Sequence, residues 1–153
     1  KRKCICPPKK VSGYLSKISG PLLDRFDLHI EVAPVEFGDL SSKSKEESSA
    51  DIRKRVISAR KIQEERFKGT GITCNALITP DKLQEMCPMD DSAVTLMKNV
   101  FDKLGLSARA YDRILKVART IADIDCSKVI RKQHIAAAAQ YRSLDRKYWS
   151  DNQ

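Results

Sequence analysis

From residue 50 onward, apolar positions recur at intervals of three and four, the spacing of one helix face. Residues 51–68 carry Ile52, Val56, Ala59 and Ile62 as a narrow stripe, with Ser48 or Ser49 as the cap and Gly69 as the stop. Thr79-Pro80-Asp81 combines a cap, a first-turn proline and an acid near the positive helix end, and predicts a short helix to residue 87. Residues 91–104 place Val94, Met97, Val100, Phe101 and Leu104 at helical spacing before Gly105. Ser107 caps the next helix, which runs to about residue 123. Its Tyr111, Ile114, Leu115, Ala118, Ile121 and Ala122 follow the helical rule closely. A last helix is expected over 131–144, with Ile135, Ala138, Ala139, Tyr141 and Leu144 available for packing. Helices joined by short loops imply an all-α bundle here.

The first part of the chain reads differently. Residues 11–18 predict a short helix, which Ser19-Gly20-Pro21 breaks and restarts. Leu28-His29-Ile30-Glu31-Val32 alternates apolar and polar, a strand pattern that Pro34 closes. A lone strand cannot satisfy its own edges, so it calls for a sheet that this sequence does not supply. Residues 38–50 shift to Ser, Lys and Glu, a solvated linker. The missing sheet and the absence of an initiator Met suggest a piece of a longer protein.

Composition narrows the function classes. The 153 residues carry a net charge of +9 and a pI near 9.4, which favours polyanionic partners such as nucleic acid or nucleotide phosphates. There is no apolar run long enough to span a bilayer, and the basic residues 1–10, lacking an apolar stretch, are not expected to be a secretory signal. Cysteines at 4, 6, 74, 87 and 126 are odd in number and scattered, which suggests a reducing, cytoplasmic setting. With two histidines, His29 and His134, a histidine-rich metal site or a Ser-His-Asp centre has little material, and both read as structural. No phosphate-binding loop sequence occurs, so the chain alone is not expected to be an enzyme.

Candidate chemistry falls on arginines. Arg109 sits two residues after the Ser107 cap, where a cation opposes the helix dipole at a cost of about 0.3–1 kcal/mol. It reads either as a surface arginine or as a guanidinium presented to a phosphate, with Arg113 and Lys116 extending the same basic face. Arg25, in Gly20-Pro21-Leu22-Leu23-Asp24-Arg25-Phe26-Asp27, reads by itself as a partner for Asp24 or Asp27. The basic helix over 51–68 either contacts nucleic acid or is a solvated face. Cys4-x-Cys6 is a weak motif, since two thiolates do not complete a zinc site. Cys74, Cys87 and Cys126 read as packing residues.

Two long segments resemble a known family. Residues 18–32, through Ser-Gly-Pro-Leu-Leu-Asp-Arg-Phe-Asp, resemble the segment closing the ATPase core of magnesium-chelatase-like AAA+ proteins of the ComM/YifB group. Residues 106–123 look like that group's sensor-2 helix, and residues 130–142 like the closing helix of its lid. The resemblance implies a mainly α fold, the AAA+ C-terminal lid bundle preceded by a helix-strand remnant of the αβα core. It divides the chain into a core end over 1–37, a linker and connecting helix over 38–70, and the lid over 71–153.

The resemblance also implies site roles. Arg25 maps onto the arginine finger acting in trans, and Arg109 onto the sensor-2 arginine; Arg113, on the basic face that Arg109 begins, is a further candidate for the ATP phosphates. Cys4 and Cys6 map onto half of a four-cysteine Zn2+ site. ATP and Mg2+ are the implied cofactors of the whole protein. Its implied partners are its own ATPase core, neighbouring subunits of a homohexamer, and DNA. The alternatives are a true magnesium-chelatase ATPase subunit and a non-enzymatic basic helical module.

Overall fold

In the computed structural model, residues 4–35, 37 and 47–142 are described, and the chain divides into two units. One comprises residues 1–46 with 141–153, the other residues 47–140.

In the larger unit the caps set the element boundaries. The Ser48 hydroxyl accepts from the Asp51 N–H at 3.2 Å and starts α3 (Ser49–Arg66). Two 3-10 turns, Asn75–Leu77 and Pro80–Lys82, lead into the single turn α4 (Leu83–Met86). The Asp90 carboxylate accepts from the Ala93 N–H at 2.7 Å at the start of α5 (Asp91–Leu104). Gly105 ends α5 in the left-handed conformation at φ 53°, where a Cβ would be strained. The Ser107 hydroxyl then accepts from the Ala110 N–H at 3.1 Å and opens α6 (Ala108–Ile124). A parallel bridge between Met89 and Ile130 ties the loop before α5 to the loop before α7 (Lys132–Gln140). Residues 143 and 144, expected to extend the last helix, lie outside the described residues.

The core of this unit is built from α4, α5, α6 and α7 and the loops between them, with Phe67 from just past α3. Phe67, Ile78, Leu83, Cys87, Ala93, Met97, Ile114, Leu115, Ala118, Ala122, Ile130, Ile135 and Ala138 form one buried cluster. α6 lies centrally, packed on α3 and α7, and α5 also packs on α7. Two expected stripes are shifted. On α3, Ala59 and Gln63 are buried while Ile52 and Val56 are 44% and 50% exposed. Only the C-terminal half of α3 therefore meets the core. On α5 the buried positions are Ala93 and Met97, and Val94 faces solvent, because α5 packs through one narrow face. Cys87 is buried as expected, but Cys74 is half-buried and Cys126 exposed, at φ 53° just past α6.

In the smaller unit, Pro7 precedes α1 (Pro8–Leu15), and Ser19 precedes the single turn α2 (Gly20–Leu23). Leu23 is buried. Residues 28–32 form no strand ladder; the His29 N–H donates to the Tyr141 carbonyl at 2.8 Å instead. The physical reason is the one the sequence suggests: an alternating segment without a neighbouring strand has no ladder to join. Leu28, Ile30 and Val32 consequently remain exposed. The Ser-Lys-Glu linker falls largely on residues 38–46, outside the described residues.

Candidate functional site

The side chain with the most unusual placement is Arg109. It occupies the first turn of α6, whose free N–H groups concentrate positive charge. It is exposed and makes no hydrogen bond or ion pair among the described residues. The first turn of α6 carries no acid, and Asp112 follows one turn on. One turn on, Arg113 is half-buried, and the Lys116 ammonium donates to the Ala76 carbonyl at 3.2 Å. Arg109, Arg113 and Lys116 thus recur at helical spacing, with the outermost guanidinium left to solvent.

The helix carrying Arg109 is anchored at its other end by buried charges. Arg119 and Asp123 are both fully buried, and Arg119 Nε donates to Asp123 Oδ1 at 3.1 Å. The remaining Arg119 donors reach the carbonyls of Ser127 and Lys128, the latter at 2.9 Å. Arg66 from α3 forms a two-nitrogen ion pair with the same carboxylate. The Asn75 amide donates to Asp123 Oδ2 at 2.8 Å and to the Thr120 hydroxyl at 3.0 Å. Burial pushes the Asp123 carboxyl up, but Arg66, Asn75 and Arg119 outweigh it and hold the group below its ordinary value of 3.8. Burial also pulls Arg119 down, against the pull of Asp123.

A helical-period reading missed this network because it assigns charged residues to solvent. A signal was present: Arg119 falls inside the apolar arc of Leu115, Ala118 and Ala122. His134 has a structural setting as well. Its Nδ1 accepts the Arg131 N–H at 2.9 Å, which leaves Nε2 to donate to Asp125 at 3.1 Å.

In the smaller unit, Arg25 is exposed and makes no ion pair among the described residues; it donates once, to the Pro21 carbonyl at 3.0 Å. Its neighbours are held instead. Arg142 Nη2 pairs with Asp24 at 3.3 Å, and Arg142 Nη1 donates to the Phe26 carbonyl at 2.6 Å. The Arg142 side chain is buried in doing so, gripping the chain on both sides of Arg25. The pairing of Arg25 with Asp24 or Asp27 that the sequence suggested does not form.

Cys4 and Cys6 are exposed free thiols. A hydrogen bond with Cys4, and then repulsion between the two, raises the Cys6 thiol above its ordinary value. Two neighbouring thiols can supply two of four zinc ligands. Among the described residues no group of three potential ligands gathers around them or anywhere else. No helix among the described residues is long and apolar enough to cross a membrane.

Comparison with known proteins places these residues in a family. Residues 46–142 match the model of the C-terminal region of magnesium chelatase subunit ChlI, and residues 1–40 match the model of magnesium chelatase subunit ChlI itself. The chain is 42% identical over 142 residues to the YifB protein of Salmonella typhimurium, and 41% identical over 142 residues to that of Escherichia coli. It is 40% identical over 140 residues to the competence protein ComM of Haemophilus influenzae. These matches cover 91–92% of this chain but 27% of each relative, so the chain spans about a quarter of their length. The helical bundle and both family matches agree, and the chain belongs to the magnesium-chelatase-like family that includes YifB and ComM.

Proposed function

We propose that this chain is the C-terminal part of a magnesium-chelatase-like AAA+ ATPase, contributing two arginines to ATP hydrolysis. The observation that carries the reading is Arg109. It is a solvent-facing cation that makes no hydrogen bond or ion pair among the described residues, at a helix position where it opposes the dipole. A cation at a position that disfavours it, with its donors left to solvent among the described residues, is well suited to an external anion. A guanidinium offers a planar set of donors that matches phosphate oxygens. Arg109 then acts as the sensor-2 arginine on the nucleotide phosphates, with Arg113 behind it.

Arg25 is the second contributor, as an arginine finger reaching ATP held by an adjacent subunit. Its support is the grip of Arg142 on Asp24 and Phe26, which fixes the chain around Arg25 while its side chain makes no ion pair among the described residues. Such a charge on the transferring phosphoryl group contributes about 10³–10⁵ in rate. Supplied between subunits, it makes hydrolysis depend on ring assembly, in the hexamer that the family resemblance suggests. ATP and Mg2+ belong to that complete protein, as does the Zn2+ site of which Cys4 and Cys6 form half. The net charge of +9 and the competence name of the Haemophilus relative favour a DNA-acting motor in the cytoplasm over a chelatase inserting magnesium. The domain division follows: core end over 1–37, linker and connecting helix over 38–70, lid over 71–153.

The test is Arg109→Ala in the full-length protein, assayed for ATP turnover and for helical content by circular dichroism. Impaired turnover with unchanged helical content supports the assignment. Unchanged turnover, or unfolding, removes it.

A further inference from the structure

Among the described residues, the first half of α3 buries no side chain. The helix runs for 18 residues, but its burial is confined to Ala59 and Gln63 in the second half. In the first half Ile52, Val56 and Ile57 are 44%, 50% and 47% exposed. Ile52, Val56 and Ala59 follow one another at i, i+4 and i+7, so they form one stripe along the helix. That stripe runs into an open groove of about 240 Å³ lined by Val56, Ala59, Arg60, Cys74, Ala76 and Ile124, among others. Ile124, at the end of α6, is itself 49% exposed. Helical geometry puts Arg53 and Arg60 along one edge of the stripe; the other edge carries Asp51 and Arg55, and Arg55 is paired with Glu47 at 2.7 Å. No acidic side chain lines the groove. Arg53 makes no ion pair among the described residues, and Arg60 only reaches Gln63 at 3.4 Å.

We infer that this groove is a docking site for an acidic amphipathic helix of a partner protein, its apolar side chains seated against Val56, Ala59 and Ile124 and its carboxylates facing Arg53 and Arg60. The chemistry selects that occupant. An apolar stripe with the cations Arg53 and Arg60 along one edge matches a helix whose apolar stripe has anions along the facing edge, the helix-in-groove mode. The buried stripe supplies affinity, and the edge charges set orientation and exclude basic partners. Nucleic acid fits less well, because its phosphates would use the arginines and leave the apolar stripe uncovered. This inference is independent of the role given to Arg109.

The experiment uses the 153-residue chain, with the full-length protein in parallel, and a labelled synthetic helical peptide of about four turns. The peptide carries leucines at i, i+3, i+4 and i+7 with glutamates beside them; controls are a scrambled peptide and one with lysines for glutamates. Binding is read by fluorescence anisotropy, with self-association followed by sedimentation. The expected result is binding of the glutamate peptide alone, weakened about tenfold or more by Val56→Asp and by Arg60→Glu. An Arg53→Glu, Arg60→Glu double variant should come to prefer the lysine peptide. Val56 and Arg60 are open enough for both variants to fold, which melting curves check. Several results overturn the inference. They are equal binding of scrambled and patterned peptides, indifference to Val56→Asp, self-association abolished by Val56→Asp, or duplex DNA binding sensitive to the arginines alone.

Discussion

Arg119 and Asp123 lie one turn apart on α6 with both side chains fully buried, and Arg119 Nε donates to Asp123 Oδ1 at 3.1 Å. With Arg66 joining from α3, two cations share one carboxylate in the interior. Such a group is weak evidence for stability as a whole, but removing one member strands the others. Asp123→Asn and Arg119→Met should each cost about 3–5 kcal/mol, measured by urea denaturation of the chain. Arg119→Lys should not rescue, because one ammonium cannot serve Asp123 and the carbonyls of Ser127 and Lys128 together.

The same carboxylate sets part of the acid response. Its folded value lies below its ordinary 3.8, so the unfolded chain binds its proton first as pH falls. The stabilisation is therefore present above 3.8 and is lost as pH drops through the lower, folded value. Denaturant midpoints followed from neutral pH downward should show a fall below pH 3.8 that is shallower in Asp123→Asn.

The turn between α5 and α6 should respond at two neighbouring positions for different reasons. Gly105→Ala forces a Cβ into φ 53° and should cost about 1 kcal/mol or more. Ser107→Ala removes the acceptor for the Ala110 N–H and should cost about 1 kcal/mol. Hydrogen exchange should rise over the first turn of α6, which carries Arg109, in Ser107→Ala.

Arg109→Ala should separate stability from function. Relieving the unfavourable charge at the helix start should leave the melting temperature unchanged or slightly raised, worth at most about 1 kcal/mol. Nucleotide turnover in the full-length protein should fall. A drop in melting temperature would instead show Arg109 to be a packing residue.

These residues also mark what a sequence exposes to reading. The Ser107 cap and the Gly105 stop were legible because cap and stop chemistry is local: a hydroxyl beside free N–H groups, and the one residue at ease with positive φ. The pairing of Arg66 with Asp123 spans 57 residues, and no periodicity announces it. Ile52 and Val56 sit in a helical stripe as regular as that of Ile114 and Ala118, yet only the latter pair is buried. Periodicity tells which residues share a face and is silent on whether anything covers it. The segment over 28–32 shows the same limit for strands, since its pattern is clear and its partner is absent from the described residues. Arg25 and Arg109 stood out through family resemblance and, for Arg109, through a conflict with the dipole. The grip of Arg142 on the residues flanking Arg25 had no sequence signal, being a contact across 116 residues.

That grip should matter to Arg25. Arg142→Gln removes the Arg142–Asp24 ion pair and loosens the Phe26 carbonyl, so the chain around Arg25 loses this support. In the full-length protein it should lower turnover with little change in nucleotide affinity, and Arg142→Lys should restore only part of it.

The most direct measurement is ATP turnover by full-length protein carrying Arg25→Ala, alone and mixed with a variant whose phosphate-binding loop is disabled. The expected result is a loss approaching 10³-fold or more for Arg25→Ala, with partial recovery in mixed rings, where intact Arg25 meets an intact nucleotide site. Turnover near that of the unaltered protein, or a large loss that mixing never relieves, would contradict an arginine finger acting between subunits.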